Sequence, residues 1–174
     1  MNGFLTGAFI LISTFSQPRL YEYKSPQQLQ LESKLHHEQV VFETKVKKIE
    51  KFLSFYNSPL AKYSSDIVRT SDKYNIDPYL VVAISGVEST FGKFTPSCSL
   101  YNAWGYSSTT SPCSFYRFNS YSDGVAKVAE TLRNHRAYQT WRETGNLYDL
   151  AKVYLTGDKE RWVKGIIQFM EEIK

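Results

Sequence analysis

The stretch AISGVESTFGK, residues 83–93, holds one acid among apolar and small residues. That acid is Glu88, in a segment that reads as a helix closing at Gly92 as its C′ glycine. Glu88 follows Val81 by seven and Ile84 by four, and precedes Phe91 by three. It therefore shares their inward face. A carboxyl placed there loses water and lies in the last turn, where the helix dipole is negative. Both effects disfavour the anion and raise the pKa. A carboxyl that keeps its proton near neutral pH is what a general acid requires. Ser85 and Gly86 keep the surface beside it low, so another segment or a ligand can approach. The other reading of an inward glutamate is structural: a carboxylate held by a backbone N–H or a lysine.

The residues after Glu88 favour the chemical reading. The segment YNAWGY, residues 101–106, offers the rings of Tyr101, Trp104 and Tyr106. Flat rings stack on the C–H faces of sugars, while Asn102 and Ser89 can bond hydroxyls or an N-acetyl group. An acid, an amide and rings together point to carbohydrate.

These residues have to be positioned mainly by helices. Leu35, Phe42, Val46, Ile49, Leu53 and Tyr56 form an apolar stripe with Lys and Glu opposite, a spacer or first domain helix rather than a coiled coil. Ser58-Pro59 and Asp77-Pro78 each read as a cap followed by a first-turn proline. The first opens a helix with Leu60, Tyr63, Ile67 and Tyr74 on one face. The second opens the Glu88 helix, Pro78 to about Phe91. Residues 94–121 lose helical periodicity and predict a long ordered loop with a small hairpin near CSFYRF. Helices resume after Ser122-Asp123, close at Gly157, and start again at Asp158 with Trp162, Ile166, Phe169 and Ile173 facing inward.

The chain has 174 residues, room for one domain and an extension. Its net charge of +4 favours a polyanion only weakly, and the densest basic set, Lys45, Lys47, Lys48 and Lys51, reads as the wet face of a helix. No nucleic-acid partner is expected. The run GFLTGAFILISTFS is uncharged and apolar, with Thr14 and Ser16 at −3 and −1 before Gln17. It lacks a basic n-region, and it is shorter than the ~20 residues of a membrane span. Residues 1–16 are read as a signal peptide or N-terminal anchor, 17–57 as a linker and amphipathic helix, and 58–174 as the domain carrying the chemistry. The expected location is secreted or cell envelope, with membrane anchoring through the N-terminus as one form of it. In an exported chain Cys98 and Cys113 form a disulfide; in a cytosolic one they are two thiols. No cofactor is implied and no metal site: His36, His37 and His135 lack ligand spacing.

Glu88-Ser89-Thr90-Phe91-Gly92 resembles the E-S-x-F segment of the lysozyme-like superfamily, which includes soluble lytic transglycosylases and bacterial glucosaminidases. YNAWGY stands where those enzymes carry a substrate-loop motif. FNSYSDGVAKVAETL and LAKVYLTGDKERWVKGI are similar to their next helix and to the late helix with a tyrosine. The resemblance spans about residues 58–174 and implies a mainly α fold: a lysozyme-like helical domain with a long ordered loop or small β-hairpin, preceded by an N-terminal helix. It implies Glu88 as catalytic acid, Ser89 as a guide for the substrate's N-acetyl group, Tyr154 as the late active-site tyrosine, and Asn102 through Tyr106, Trp104 included, as the walls of sugar subsites. The transglycosylases carry G-L-M-Q after the acid. This chain has NAWGY, closer to the glucosaminidases, which leaves the reaction outcome open.

A glycosidase normally uses two carboxylates, and a second is hard to find. Asp77 and Asp123 read as caps, Glu130 falls off the stripe of Val125, Val128, Ala129 and Leu132, and Glu143 and Asp149 lie near turns. A one-acid mechanism fits: Glu88 protonates the glycosidic oxygen, and the substrate's own N-acetyl group or C6 hydroxyl completes the step. The expected substrate is peptidoglycan or a related aminosugar polymer, cut between MurNAc and GlcNAc by a monomer. Two other classes stand beside it: a non-catalytic wall- or glycan-binding module, and an intracellular helical interaction protein.

Overall fold

The computed structural model describes residues 24–110 and 113–174. The leader read into residues 1–16 lies outside them. The chain divides into two units, Met1–Leu35 and His36–Lys174. Helix α1 spans Pro26–Phe55. Its start falls inside the segment read as linker, because Ser25 and Gln28 cap each other: Gln28 N–H donates to Ser25 Oγ at 3.3 Å and Ser25 N–H to Gln28 Oε1 at 2.7 Å.

The second unit is mainly helical: α2 (Ser64–Lys73), α3 (Pro78–Ser89), α4 (Tyr121–Asn134), α5 (Gln139–Thr144), α6 (Leu147–Tyr154) and α7 (Lys159–Ile173). Polar caps set most of the starts. Asp77 accepts from Tyr79 N–H with Pro78 in the first turn, Asn146 from Tyr148 N–H, and Asp158 from Arg161 N–H. Two expected starts move. Ser58 Oγ is occupied by Leu60 N–H and Phe91 C=O, so a single 3₁₀ turn, Ala61–Tyr63, precedes α2. Ser120, not Ser122-Asp123, caps α4, accepting from Asp123 N–H at 3.1 Å.

The most buried element is α3. Every residue from Leu80 to Gly86 is buried, as a helix apolar on all sides must be. It packs against α2, α4 and, most extensively, α7. Its end differs from expectation. The helix stops at Ser89, and Thr90 and Phe91 adopt left-handed φ of 51° and 59° before Gly92. The reversal is closed by Phe91 N–H to Ser85 C=O at 2.9 Å. It drops the Phe91 ring among Phe52, Tyr56 and Phe169, with centroids 4.6–5.3 Å away.

Among the described residues of 94–120 the one helical element is a 3₁₀ turn, Ser97–Ser99, in keeping with the lost periodicity. In place of the expected hairpin, the described residues show one antiparallel bridge, Ser107–Phe115, flanked by Tyr116 N–H to Tyr106 C=O at 2.8 Å. Cys98 and Cys113 are bonded, with Cα atoms 6.3 Å apart. No helix among the described residues is long and apolar enough to cross a membrane.

The α3–α7 crossing depends on a missing side chain. A Cβ at Gly86 would stand 2.5 Å from the Phe91 ring and 2.7 Å from the Phe169 ring. Alanine normally gains up to about 1 kcal/mol over glycine in a helix. Here overpacking, typically about 1–3 kcal/mol, opposes that gain. Gly86→Ala is expected to be destabilising in urea unfolding; a variant more stable than wild type would show that the crossing is not tight.

Candidate active site

Glu88 is the penultimate residue of α3. Its Oε1 accepts a 2.8 Å hydrogen bond from the indole Nε1–H of Trp162 on α7. Its Oε2 lies beside Gly105: a Cβ there would be 2.7 Å from that oxygen. Gly105 also has φ of +62°, so both conformation and contact call for glycine. Glu88 is exposed, not turned inward as its spacing with Val81, Ile84 and Phe91 predicts, because it sits in the last turn where α3 leaves the core. The protein against its carboxyl still removes enough water to push the pKa above the ordinary value. The Trp162 bond favours the anion and offsets part of that shift. No ion pair reaches Glu88 among the described residues.

Two side chains named from sequence come together beside it. Tyr154, at the end of α6, has its ring 5.4 Å from that of Trp162. Its hydroxyl donates to Trp104 C=O at 2.6 Å. Burial, then the nearby Glu88 charge, pushes its pKa well up, so it stays a neutral phenol. Tyr106 is half-buried, its hydroxyl 3.1 Å from Thr131 Oγ1. Tyr154, Tyr106 and Gly105 line a cleft of about 210 Å³ with Thr131, His135 and Tyr138. Burial pushes the Tyr138 hydroxyl to about 12.

The other three expected contacts face inward, which revises their roles. Trp104 has no exposed surface, and its Nε1–H donates to Val81 C=O at 2.9 Å. No sugar can stack on that ring in this conformation. Asn102 spends its whole amide on the loop: Nδ2 donates to Tyr106 and Tyr116 carbonyls at 2.9 and 2.8 Å, and Oδ1 accepts from Tyr106 N–H at 2.9 Å. Ser89 Oγ accepts from Gly92 N–H at 2.8 Å and lies 2.7 Å from Ala103 C=O. These residues tie the 101–106 loop to α3 and thereby seat Gly105 against the acid.

A concavity of about 910 Å³ lies along α3 and α7, lined by Val87, Leu155, Trp162, Arg161 and Phe169 among others. Glu88 belongs to the lining of neither hollow. It touches one lining residue of each: Trp162 of the larger donates to Oε1, and Gly105 of the smaller faces Oε2.

Sequence reading placed Trp162 in the core stripe, where it is, at 7% exposure. The signal it carried is its N–H, which needs a partner when buried. Of the acids weighed as a second carboxylate, Asp123 is not a cap, since Ser120 takes that role and accepts from Asp123 N–H. Asp77 caps α3. Asp149 is bound by Lys152 and Thr144, the former holding its carboxyl below the usual range. Glu130 pairs with Lys127, and Glu143 accepts from Gln139. No group of three His, Cys, Asp or Glu side chains able to hold a metal occurs among the described residues.

A carboxyl with a raised folded pKa costs stability once the unfolded chain ionises more readily. That cost begins near the ordinary glutamate value of about 4.3, grows as pH rises to the folded pKa, and is constant above it. Glu88→Gln is therefore expected to raise the melting temperature at pH 7, with the gain shrinking as the pH falls and vanishing below about pH 4. A gain independent of pH would contradict the shift. Comparison of the chain with protein-family models, with curated proteins and with solved structures finds no match.

Proposed function

We propose that residues 58–174 form a lysozyme-like domain that cleaves the MurNAc–GlcNAc backbone of peptidoglycan, with Glu88 as its general acid and base. The observation that carries this reading is a carboxyl of raised pKa, with no ion pair among the described residues, that touches a lining residue of each of two hollows. A polymer cut in mid-chain needs room on both sides of the proton donor.

In the proposed reaction Glu88 gives its proton to the glycosidic oxygen as the bond from C1 to that oxygen breaks. The N-acetyl carbonyl oxygen of the same sugar supports C1. The Glu88 carboxylate then takes a proton from the C6 hydroxyl as that oxygen closes on C1, or from a water that attacks instead. The first route leaves an anhydro end, the second a reducing end, and no second carboxylate is required. Tyr154, whose hydroxyl proton is committed to Trp104 C=O, serves as a neutral wall, and Tyr106 lines the cleft. Ser89, Asn102 and Trp104 act through the loop they hold. The bond between Cys98 and Cys113 supports an oxidising, extracytoplasmic location.

The test is release of soluble muropeptides from purified peptidoglycan, with sedimentation to measure binding. The wild type is expected to release them and Glu88→Gln to lose at least a hundredfold in rate while still binding. Mass spectrometry assigns the outcome, since anhydro and reducing ends differ by one water. Binding without release by the wild type would make the domain a glycan-binding module, and release by Glu88→Gln would remove the acid from its role.

A further inference from the structure

The contact between Trp162 and Glu88 does more than fill space. An indole N–H is a donor with no lone pair. Whichever carboxyl oxygen faces it has to accept, and the carbonyl oxygen of a protonated acid accepts better than its hydroxyl oxygen. The indole sits 2.8 Å from Oε1. We propose that Trp162 is a positioning residue for the reaction: it fixes Oε1 of Glu88 as a permanent acceptor, so that Oε2, on the Gly105 side, carries and delivers the proton. This rests on the reading of Glu88 as the acid.

The surroundings make the indole a rigid support. Trp162 lies in the first turn of α7, its own N–H bonded to Asp158 C=O at 3.2 Å. Its ring packs at 33° to Tyr154, which the 2.6 Å bond to Trp104 C=O holds in turn. The bond outlasts the proton, because an N–H to a carboxylate is stronger than one to a neutral acid. The same contact therefore holds the group while it acts as acid and again as base. The scissile oxygen is thereby placed over Gly105, where any larger residue would push Oε2 away.

Among the described residues, the groups set against Glu88 come from α6, the loop and α7. From α6 it is Tyr154, whose hydroxyl senses Glu88, Tyr138 and Tyr106. From the loop it is the bare backbone of Gly105. From α7 it is Trp162; the charged residues Asp158, Glu160, Arg161 and Lys164 line the larger groove instead, and Glu160 is already paired with Lys164 at 2.7 Å.

The experiment replaces the Trp162 indole with benzothiophene by incorporating 3-benzothienylalanine, which keeps the bicyclic shape and puts sulfur where the N–H was. Trp162→Phe serves as a second variant. Rates on soluble glycan strands are followed against pH, and the Glu88 side-chain carboxyl is titrated by carbon-13 NMR. Losing a charge-assisted bond that orients the acid is expected to lower kcat about tenfold to hundredfold with KM nearly unchanged. Because the lost bond favoured the anion, the Glu88 titration and the alkaline limb of the rate profile are expected to move to higher pH. A side chain needed for packing alone would lower the melting temperature of Trp162→Phe and leave the isostere's limb in place, which would overturn the inference. The NMR titration needs no substrate, so it separates this inference from the glycan reading. A Glu88 titration that ignores the exchange overturns the inference even where Glu88→Gln is inactive.

Discussion

The carboxyl of Glu88 is held between a hydrogen-bond donor and a residue with no side chain. Trp162 supplies the donor and Gly105 the space. Loss of hydration favours the neutral acid and the indole bond favours the anion, and hydration loss is the larger effect. The balance depends on close approach: each arm of the clamp comes from a different part of the chain, the indole at 2.8 Å from Oε1 and Gly105 near enough to Oε2 that a Cβ would not fit.

Much of the domain can be understood as what brings those arms in. The close crossing of α3 and α7 sets Trp162 over the end of α3, with Gly86 and Gly165 at the contact. The other arm is held by buried polar groups that face the protein. Ser89, Asn102 and Trp104 bond to main-chain groups of α3 and the loop, and Tyr154 closes the set by donating to Trp104 C=O. Buried donors left without partners are costly, so the loop has one well-satisfied arrangement. The aromatic cluster of Phe52, Tyr56, Phe91 and Phe169 locks the left-handed turn that follows the acid.

Local signals in the sequence were read where they act locally. The cap at Asp77, the start of α7 at Asp158 with its inward stripe, and the placement of Glu88 near the end of α3 follow from spacing and residue type alone. Signals shared between distant segments were not legible. Asn102 was expected to face a ligand because an amide on an aromatic loop has free bonding capacity on paper; three main-chain partners consume it in the fold. Trp104 was expected to stack on sugar, yet an aromatic ring carries no mark of which side of the wall it occupies. Trp162 was legible as core but not as the partner of Glu88, since the pairing spans 74 residues. The early start of α1 was readable from Ser25-Pro26 with Gln28, and the polar composition around it hid the signal.

On this account the domain does its chemistry with one proton. Asp77, Asp149, Glu130 and Glu143 are engaged as caps or surface partners, and the proposal gives the roles of both acid and base to Glu88. The most direct measurement is the infrared difference spectrum of wild-type minus Glu88→Gln protein, recorded across pH. The account predicts a protonated-carboxyl C=O band whose titration midpoint lies above the ordinary glutamate value of about 4.3. A difference spectrum showing only a carboxylate band at and above that value would contradict it.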